Sequence, residues 1–385
     1  VVWAISDKPE TRGQLLWRQN IPAPENFITP FWGPIDEQSR IWTLNYIETF
    51  EWVGYSVDTG EKVWGPVVSA ENDFTYYGSG KGGGQVGYIA YGNLYTQGFG
   101  GEIICYDMAT GNTEWRFANT NSGDETVWGN YPIFIAAIAD GKVYAFNNEH
   151  SPNYPLYKGE KIYCIDAYDG TELWTMAGWA GQAGGPGTST AILADGVLIY
   201  YNYYDNQIYA VGKGPSATWV DNWEDTIAAG ESVVIKGEVM DVSAGASALV
   251  QSGKFNSVPA MSDVCQSSWM EYLYMQKAMP EGATGVQVKL TAYDQNNNAY
   301  SIGTVTSTDR GTFAAPWVPS EAGFYKVVAE FEGSNSYWPS SAETYVNVLG
   351  EGASEPVAES LELYILIVVI IVVILLLISM LIRKK

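Results

Sequence analysis

The sequence predicts an all-β chain that ends in a membrane-spanning helix. Two observations lead to this fold class: an aromatic repeat with glycine turns over the first half, and an apolar run near the C terminus. Composition agrees, because glycine (41 residues), tyrosine (27) and tryptophan (15) are abundant and charged residues make up only 16 % of the chain. Such a composition suits many short strands joined by tight turns.

The repeat ends in Gly-x-x-x-Trp in each copy. Successive tryptophans lie 47, 51 and 59 residues apart, and periods of this length with a glycine turn are typical of β-propellers. Each unit is predicted to be an antiparallel sheet of about four strands, with the tryptophan packed between neighbouring blades. The four copies end at Gly13–Trp17, Gly60–Trp64, Gly111–Trp115 and Gly170–Trp174.

The last two copies carry a specific resemblance. Tyr106–Trp115 and Ile165–Trp174 resemble the repeats of quinoprotein-like (PQQ-like) propellers, and the likeness covers residues 1 to about 213. Residues 1–17 supply only two strands of a blade and residues 175–213 only three, so this partial propeller has about four blades. Propellers of the family usually have seven or eight blades, so we expect three or four to be missing before Val1. A closed four-bladed ring is the alternative.

Beyond residue 213 the tryptophan repeat stops, and six or seven short strands predict a β-sandwich over 214–349. Glu321–Phe331 followed by Ser336–Ser340 is similar to the end of bacterial Ig-like surface modules. Asp294–Asn298 has the Asp-x-Asn-x-Asn spacing of a calcium loop. It lacks the downstream glycine and glutamate of such a loop, so we interpret it as a hairpin turn.

A long insertion, residues 241–285, interrupts the predicted sandwich. It contains a predicted helix from about Trp269 to Met279, for which Ser268 and Glu271 form a capping box. Its methionine and aromatic side chains could bind a partner protein. The alternative, which we prefer, is that they cover the edge or mouth of the sandwich.

The C-terminal segment predicts a membrane anchor. Residues 350–362 form a polar, acidic stalk, and Leu363–Ile382 is an uncharged run of twenty residues followed by the basic residues 383–385. A helix of this length spans the roughly 30 Å hydrocarbon core of a bilayer. The positive-inside tendency keeps the basic tip in the cytoplasm and places the N-terminal ectodomain outside, in a single-pass cell-membrane protein. This order of segments resembles archaeal membrane-anchored PQQ-like propeller proteins with an Ig-like domain.

Charge and cysteine content limit the partners and the chemistry. The net charge of −23 excludes nucleic acid as a natural partner, because the surface repels phosphates. Cys105, Cys164 and Cys265 are too few and odd in number for a disulfide framework, and the first two are expected to be buried strand cysteines. The single histidine, His150, makes histidine-based metal clusters hard to build.

Enzymatic alternatives have little support from the residues. True quinoprotein dehydrogenases hold PQQ and calcium beside a vicinal Cys-Cys pair, which is absent here. Asp107 and Asp166 recur in register, so we assign them to the repeat rather than to a catalytic pair. Gly78–Gly84 lacks the Gly-Lys-Ser/Thr ending of a phosphate loop. A carbohydrate-active propeller with two carboxylates stays open as an alternative.

The sequence therefore favours a non-enzymatic cell-surface scaffold that contacts membrane lipid through its C-terminal helix. Its expected ligand is a surface protein, a glycan or another envelope component, and a structural subunit of a surface layer or filament is the nearest alternative. No catalytic, cofactor-binding or metal-binding residue is predicted. Neither PQQ nor calcium is expected as a cofactor.

Overall fold

The computed structural model describes residues 1–22, 25, 30–68, 87–97, 101–118, 133–147, 161–180, 191–202 and 205–350. The chain divides into two compact units. Unit 1 contains residues 1–213 together with 267–280, and unit 2 contains residues 214–266 together with the described residues from 281 onward.

The described residues of unit 1 form five antiparallel sheets that follow one another along the chain. The first has two strands, the next three have four strands each, and the last has three. Neighbouring strands in a sheet are neighbours in sequence, as in propeller blades. The sheets are β1 (Val2–Ile5) and β2 (Leu15–Gln19); β3 (Pro30–Asp36), β4 (Ile41–Tyr46), β5 (Glu51–Ser56) and β6 (Lys62–Val68); β7 (Gly87–Ala90), β8 (Asn93–Thr96), β9 (Glu102–Asp107) and β10 (Thr113–Ala118); β11 (Ile133–Ala139), β12 (Lys142–Asn147), β13 (Lys161–Asp166) and β14 (Glu172–Ala177); β15 (Ile192–Ala194), β16 (Val197–Asn202) and β17 (Gln207–Val211). The predicted all-β, propeller-like organisation of this half is confirmed.

The core of unit 1 lies between the sheets. Each junction between consecutive sheets holds its own cluster of apolar side chains, contributed by both sheets. At the second junction, for example, Trp52 of β5 packs with Ile104 and Tyr106 of β9. Burial of such side chains is worth about 1.5–3 kcal/mol each, so each sheet is stabilised mainly by its neighbours.

Unit 2 is a β-sandwich, because two sheets share one apolar core that includes Ile235, Phe313, Leu290, Val327 and Val346. The three-stranded sheet has the order β18-β20-β23 and the five-stranded sheet the order β19-β25-β24-β21-β22. The strands are β18 (Ser216–Asn222), β19 (Thr226–Ala228), β20 (Val233–Asp241), β21 (Gln287–Tyr293), β22 (Ala299–Thr306), β23 (Thr312–Trp317), β24 (Gly323–Phe331) and β25 (Ser340–Leu349). The Ig-like assignment of this sandwich stays a prediction.

The turn at Asp294 joins β21 to β22. Its carboxylate accepts hydrogen bonds from the backbone N–H groups of Asn296 and Asn298, both at 2.8 Å, and from the Asn298 side-chain amide. The segment therefore serves as a hairpin turn, as we interpreted it from the sequence.

The insertion contains two helices, α1 (Ala244–Gln251) and α2 (Asp263–Tyr274). The helix that we predicted from about Trp269 to Met279 was wrong in both bounds, because α2 begins at Asp263 and ends at Tyr274. Ser268 therefore lies inside α2 and does not cap its N terminus. Asp263 begins α2, and its carboxylate accepts hydrogen bonds from the backbone and side chains of residues 334–336. The helix ends because the chain turns into the left-handed region at Gln276, where φ is 58°.

The second half of α2 packs within unit 1. Met270 and Met275 lie against a cluster that includes Leu198 and Tyr200 of β16. The Ala177 backbone N–H donates to the Glu271 carboxylate over 2.5 Å. The preferred expectation that these methionines cover the edge of the sandwich was therefore wrong, because they complete the core beside the last sheet of unit 1.

Across the described ranges, neither helix is long and apolar enough to cross a membrane. The predicted span Leu363–Ile382, the basic tip and the stalk from residue 351 onward lie outside the described residues. His150 and the glycine-rich segment 78–84 lie outside them as well.

Candidate interaction surface

The first three repeat tryptophans each connect their own sheet to the next one. In every case the indole N–H donates to the backbone carbonyl of the residue that directly follows the third strand of the next sheet. The contacts are Trp17 Nε1 to the Val57 carbonyl (2.6 Å), Trp64 Nε1 to that of Met108 (2.9 Å) and Trp115 Nε1 to that of Ala167 (3.1 Å). The prediction that the tryptophan packs between neighbouring blades is confirmed for these three repeats.

A turn glycine of the next sheet lies under each of these indole rings. Gly60, Gly111 and Gly170 have φ angles of 73°, 75° and 77°, a conformation that glycine adopts without strain. A Cβ atom at these glycines would come within 2.5 to 2.7 Å of the tryptophan ring. The glycine turn and the tryptophan are therefore two parts of one junction.

The recurring aspartates hold the same turns. The Asp107 carboxylate accepts from the Thr110 backbone and hydroxyl, both at 2.7 Å. That of Asp166 accepts from the backbone N–H groups of Tyr168 and Asp169. These contacts agree with our assignment of both carboxylates to the repeat.

Cys105 and Cys164 are fully buried free thiols, and burial raises the pKa of each to about 12. They are therefore unreactive at neutral pH, as expected for strand cysteines. Burial raises the pKa of Cys265, but hydrogen bonds with Ser262 and Thr284 outweigh it and lower that pKa below its ordinary value. Within the described part of the chain, no group of three or more His, Cys, Asp or Glu residues could hold a metal ion.

The first four sheets can be aligned through one backbone contact. The turn glycine donates to the carbonyl of the residue that ends the third strand, in Gly60 to Ser56 (2.9 Å) and Gly111 to Asp107 (2.8 Å). Gly13 donates to Ser6 in the same way, at 2.8 Å. Ser6 therefore corresponds to Ser56 and Asp107, and β1 corresponds to the third strand of the later sheets.

This alignment shows that two apolar side chains of β1 are exposed at positions that are buried elsewhere. Trp3 is 61 % exposed, whereas its equivalents are almost completely buried: Val53 at 1 %, Ile104 at 2 % and Tyr163 at 3 %. Ile5 is 58 % exposed, whereas its equivalents are Tyr55 at 6 %, Tyr106 at 0 % and Ile165 at 0 %. In each later sheet these positions face the preceding sheet. We call Trp3 and Ile5, with Arg18 opposite Trp3, the leading face.

In the last sheet, the exposed apolar side chains lie on the other side, which faces the following sheet in the earlier repeats. β12 ends at Asn147 and β16 ends at Asn202, so the pair Tyr200–Tyr209 of this sheet corresponds to the pair Ala145–Tyr163 of the preceding one. Ile208 then corresponds to Trp52, Ile103 and Ile162, which face the following sheet and are 0 % exposed. Ile208 itself is 74 % exposed. We call Ile208, with Ile192, Ile199 and Ala210 on the same side of the sheet, the trailing face.

Both faces therefore carry exposed apolar side chains. Sequence reasoning predicted no site residues, and it missed both faces. The available signal was the strand count, since residues 1–17 and 175–213 were seen to supply incomplete sheets. That count could not identify the exposed side chains, because strand pairing alone does not say which side of a sheet is covered.

The comparisons with known proteins agree with the repeat. A family model of PQQ-like repeats, described as outer membrane protein assembly factor BamB, matches residues 49–214. No curated protein matches the chain.

Several solved structures are similar at low identity. BamB from Moraxella catarrhalis is 11 % identical with a TM-score of 0.30, over 87 % of each chain. The computationally designed Ika4 protein is 11 % identical with a TM-score of 0.31, over 52 % of this chain and 98 % of that one. The CARDB domain of the PF1109 protein from Pyrococcus furiosus is 13 % identical with a TM-score of 0.19, over 36 % of this chain and 96 % of that one.

Proposed function

We propose that this protein is a cell-surface scaffold that is held in the membrane by residues 363–382 and binds another protein through its propeller repeats. The binding surface is the trailing face of unit 1. One observation carries the proposal: Ile208 is 74 % exposed at a repeat position that is otherwise buried between sheets.

The chemistry of the described residues supports binding rather than catalysis. The recurring carboxylates Asp107 and Asp166 are engaged by their own turns, and the repeat cysteines are buried. The family model that matches residues 49–214 is described as an outer membrane protein assembly factor. The exposed isoleucines Ile192 and Ile208 are also suited to a protein partner, because exposed apolar surface commonly marks interaction sites.

Maleimide labelling of cysteine variants of the full chain tests this function. Ile208→Cys is compared with Trp223→Cys, a replacement at an exposed position of unit 2 (72 %), first in native membranes and then in purified, diluted protein, with peptide mass spectrometry to quantify each site. Both sites should be labelled at similar rates after dilution. In native membranes we expect the Ile208→Cys site to be labelled about tenfold more slowly than the Trp223→Cys site, because a covered side chain is shielded from solvent. Equal labelling of the two sites in native membranes contradicts the proposed function.

A further inference from the structure

We infer that unit 2 carries a second binding site, a platform for a neutral glycan chain on the side of its three-stranded sheet that points away from the shared core. The platform consists of Trp219, Asp221, Trp223, Lys236 and Glu238. It belongs to a different unit from the trailing face, and it does not rest on the proposed function.

The alternation of two neighbouring strands places the platform side chains on one side of the sheet. In β18, Val220 points into the core, so Trp219 and Asp221 lie on the outer side. The same alternation in β20 places Lys236 and Glu238 on that side. The strand register pairs Trp219 with Glu238 and Asp221 with Lys236. These four side chains therefore form two adjacent rows across the sheet.

Trp223 extends the platform beyond the end of β18. The Lys236 Nζ atom lies 5.3 Å from the centroid of the Trp223 ring, so this ring is on the outer side as well. Trp219 and Trp223 are four residues apart, which is about 13 Å along an extended strand. They are 50 % and 72 % exposed. Two open indole rings thus flank the charged row of Asp221 and Lys236.

The carboxylates of the platform are open to a ligand. Neither Asp221 nor Glu238 has a side-chain hydrogen bond or an ion pair with another residue that the structure describes. Carboxylates accept hydrogen bonds and the Lys236 ammonium group donates them. Together they can bind groups that both donate and accept, and sugar hydroxyls are such groups.

The outer side of the five-stranded sheet also carries aromatic side chains, but these engage one another. Phe324 stacks on Tyr345 with ring centroids 5.4 Å apart, and the Tyr345 hydroxyl donates to the Glu343 carboxylate over 2.8 Å. Lys326 contacts the Glu343 carboxylate over 3.8 Å and lies over the ring of Tyr293. The three-stranded sheet is therefore the one that combines open rings with open carboxylates.

The arrangement of the platform fits a glycan better than a protein. The core of a protein interface is poor in charged residues, whereas here a charged row separates the two indoles. A sugar ring has an apolar face of C–H groups, which packs on the negatively polarised face of an indole. Its hydroxyl groups lie at the ring edge, where they reach carboxylates beside the indole. A short run of sugar units spans the distance between Trp219 and Trp223.

Charge restricts the glycan to a neutral one. Two acidic side chains, Asp221 and Glu238, and one basic side chain, Lys236, give the platform a net charge of −1, and the whole chain has a net charge of −23. Glycans that carry carboxylate or sulfate groups are therefore repelled. A neutral glycan meets no such repulsion.

Isothermal titration calorimetry of the full chain in nanodiscs tests this inference, because nanodiscs avoid detergents with sugar headgroups. The probes are the neutral hexasaccharides cellohexaose, mannohexaose, N-acetylchitohexaose and maltohexaose. We expect at least one probe to bind with a dissociation constant of about 10–1,000 μM, since the contact is small and open to solvent.

Variants then locate the contact. Trp219→Ala and Trp223→Ala should each weaken binding of that sugar at least about tenfold, because each removes one stacking surface. Glu238→Gln keeps the side-chain shape without the charge and should weaken binding about threefold. Tyr345→Ala is the control, because Tyr345 is 43 % exposed on the other outer side, and it should bind like the native chain. Each variant should keep the native circular dichroism spectrum, because these side chains lie outside the core.

Failure of every probe to bind overturns the inference, and so does native affinity in both tryptophan variants. If no sugar binds and Trp219 is protected from oxidation in native membranes, a protein covers this side of the sheet and the glycan assignment is wrong. The trailing face is tested independently. Trp223→Cys lacks one stacking surface, and a weakly held glycan dissociates many times during a maleimide reaction, so this site stays a valid control for Ile208→Cys.

Discussion

At the residue scale, a glycine and a tryptophan from consecutive sheets make each junction of unit 1. The indole ring of Trp64 lies on Gly111, and its N–H donates to the carbonyl of Met108. This pairing was predictable in part, because Gly-x-x-x-Trp recurs in the sequence. The sequence could not show that the glycine of one repeat meets the tryptophan of the repeat before it, since those residues are far apart in the chain.

Replacing Gly111 and Gly92 by alanine, one at a time, should separate the cost of backbone strain from the cost of overlap with the Trp64 ring. Gly111 and Gly92 both have positive φ, at 75° and 77°, so alanine costs about 1–2 kcal/mol at either position. An alanine Cβ at Gly111 would come within 2.6 Å of the Trp64 ring, whereas nothing lies within 4 Å at Gly92. Overpacking should add about 1–3 kcal/mol to the loss of unfolding free energy in Gly111→Ala.

Urea unfolding followed by tryptophan fluorescence measures this difference, with Gly92→Ala as the control. Equal losses of unfolding free energy in the two variants would show that the ring imposes no constraint on the turn.

At the element scale, α2 shows how an insertion in one unit can complete another. Its second half belongs to unit 1, where Met270 contacts the cluster of the last sheets and the Tyr209 hydroxyl donates to the Tyr274 carbonyl. Sequence analysis predicted that a helix exists in this region. The first residue of α2, Asp263, is held by hydrogen bonds from residues 334–336. A local sequence pattern cannot show a partner that lies so far away in the chain.

Met270→Asp should therefore destabilise unit 1. It places a charge in an apolar cluster, which should lower the free energy of unfolding by about 2–3 kcal/mol. Met279→Asp is the matched control, because Met279 is 44 % exposed and its replacement should change stability by no more than about 0.5 kcal/mol. Amide hydrogen exchange should become faster in β16 for Met270→Asp alone. Unchanged exchange in β16 would mean that α2 does not support the last sheet.

At the scale of the whole molecule, the sequence alone predicts the membrane attachment. The run Leu363–Ile382 has no charged residue and is followed by Arg383, Lys384 and Lys385. An apolar helix of this length is far more stable in lipid than in water, so we propose that attachment depends on this segment and not on the folded units.

Flotation with liposomes tests this attachment. The full chain should float with the vesicles, whereas a chain that ends at Gly350 should stay at the bottom of the gradient. A chain that lacks only residues 383–385 is the control, and it should still float because the apolar run is intact. If the chain ending at Gly350 also floats, another part of the molecule binds lipid.

Short-range patterns in the sequence determined the all-β class, the repeat period and the role of the turn aspartates. These features depend on residues close together in the chain, such as Asp107 and Thr110. The tertiary structure alone decided which repeat positions stay uncovered. Ile208 is 74 % exposed although its equivalents in three other sheets are buried, and the local sequence around β17 does not encode this difference. Burial is a property of what lies opposite a side chain, and only the assembled sheets settle that.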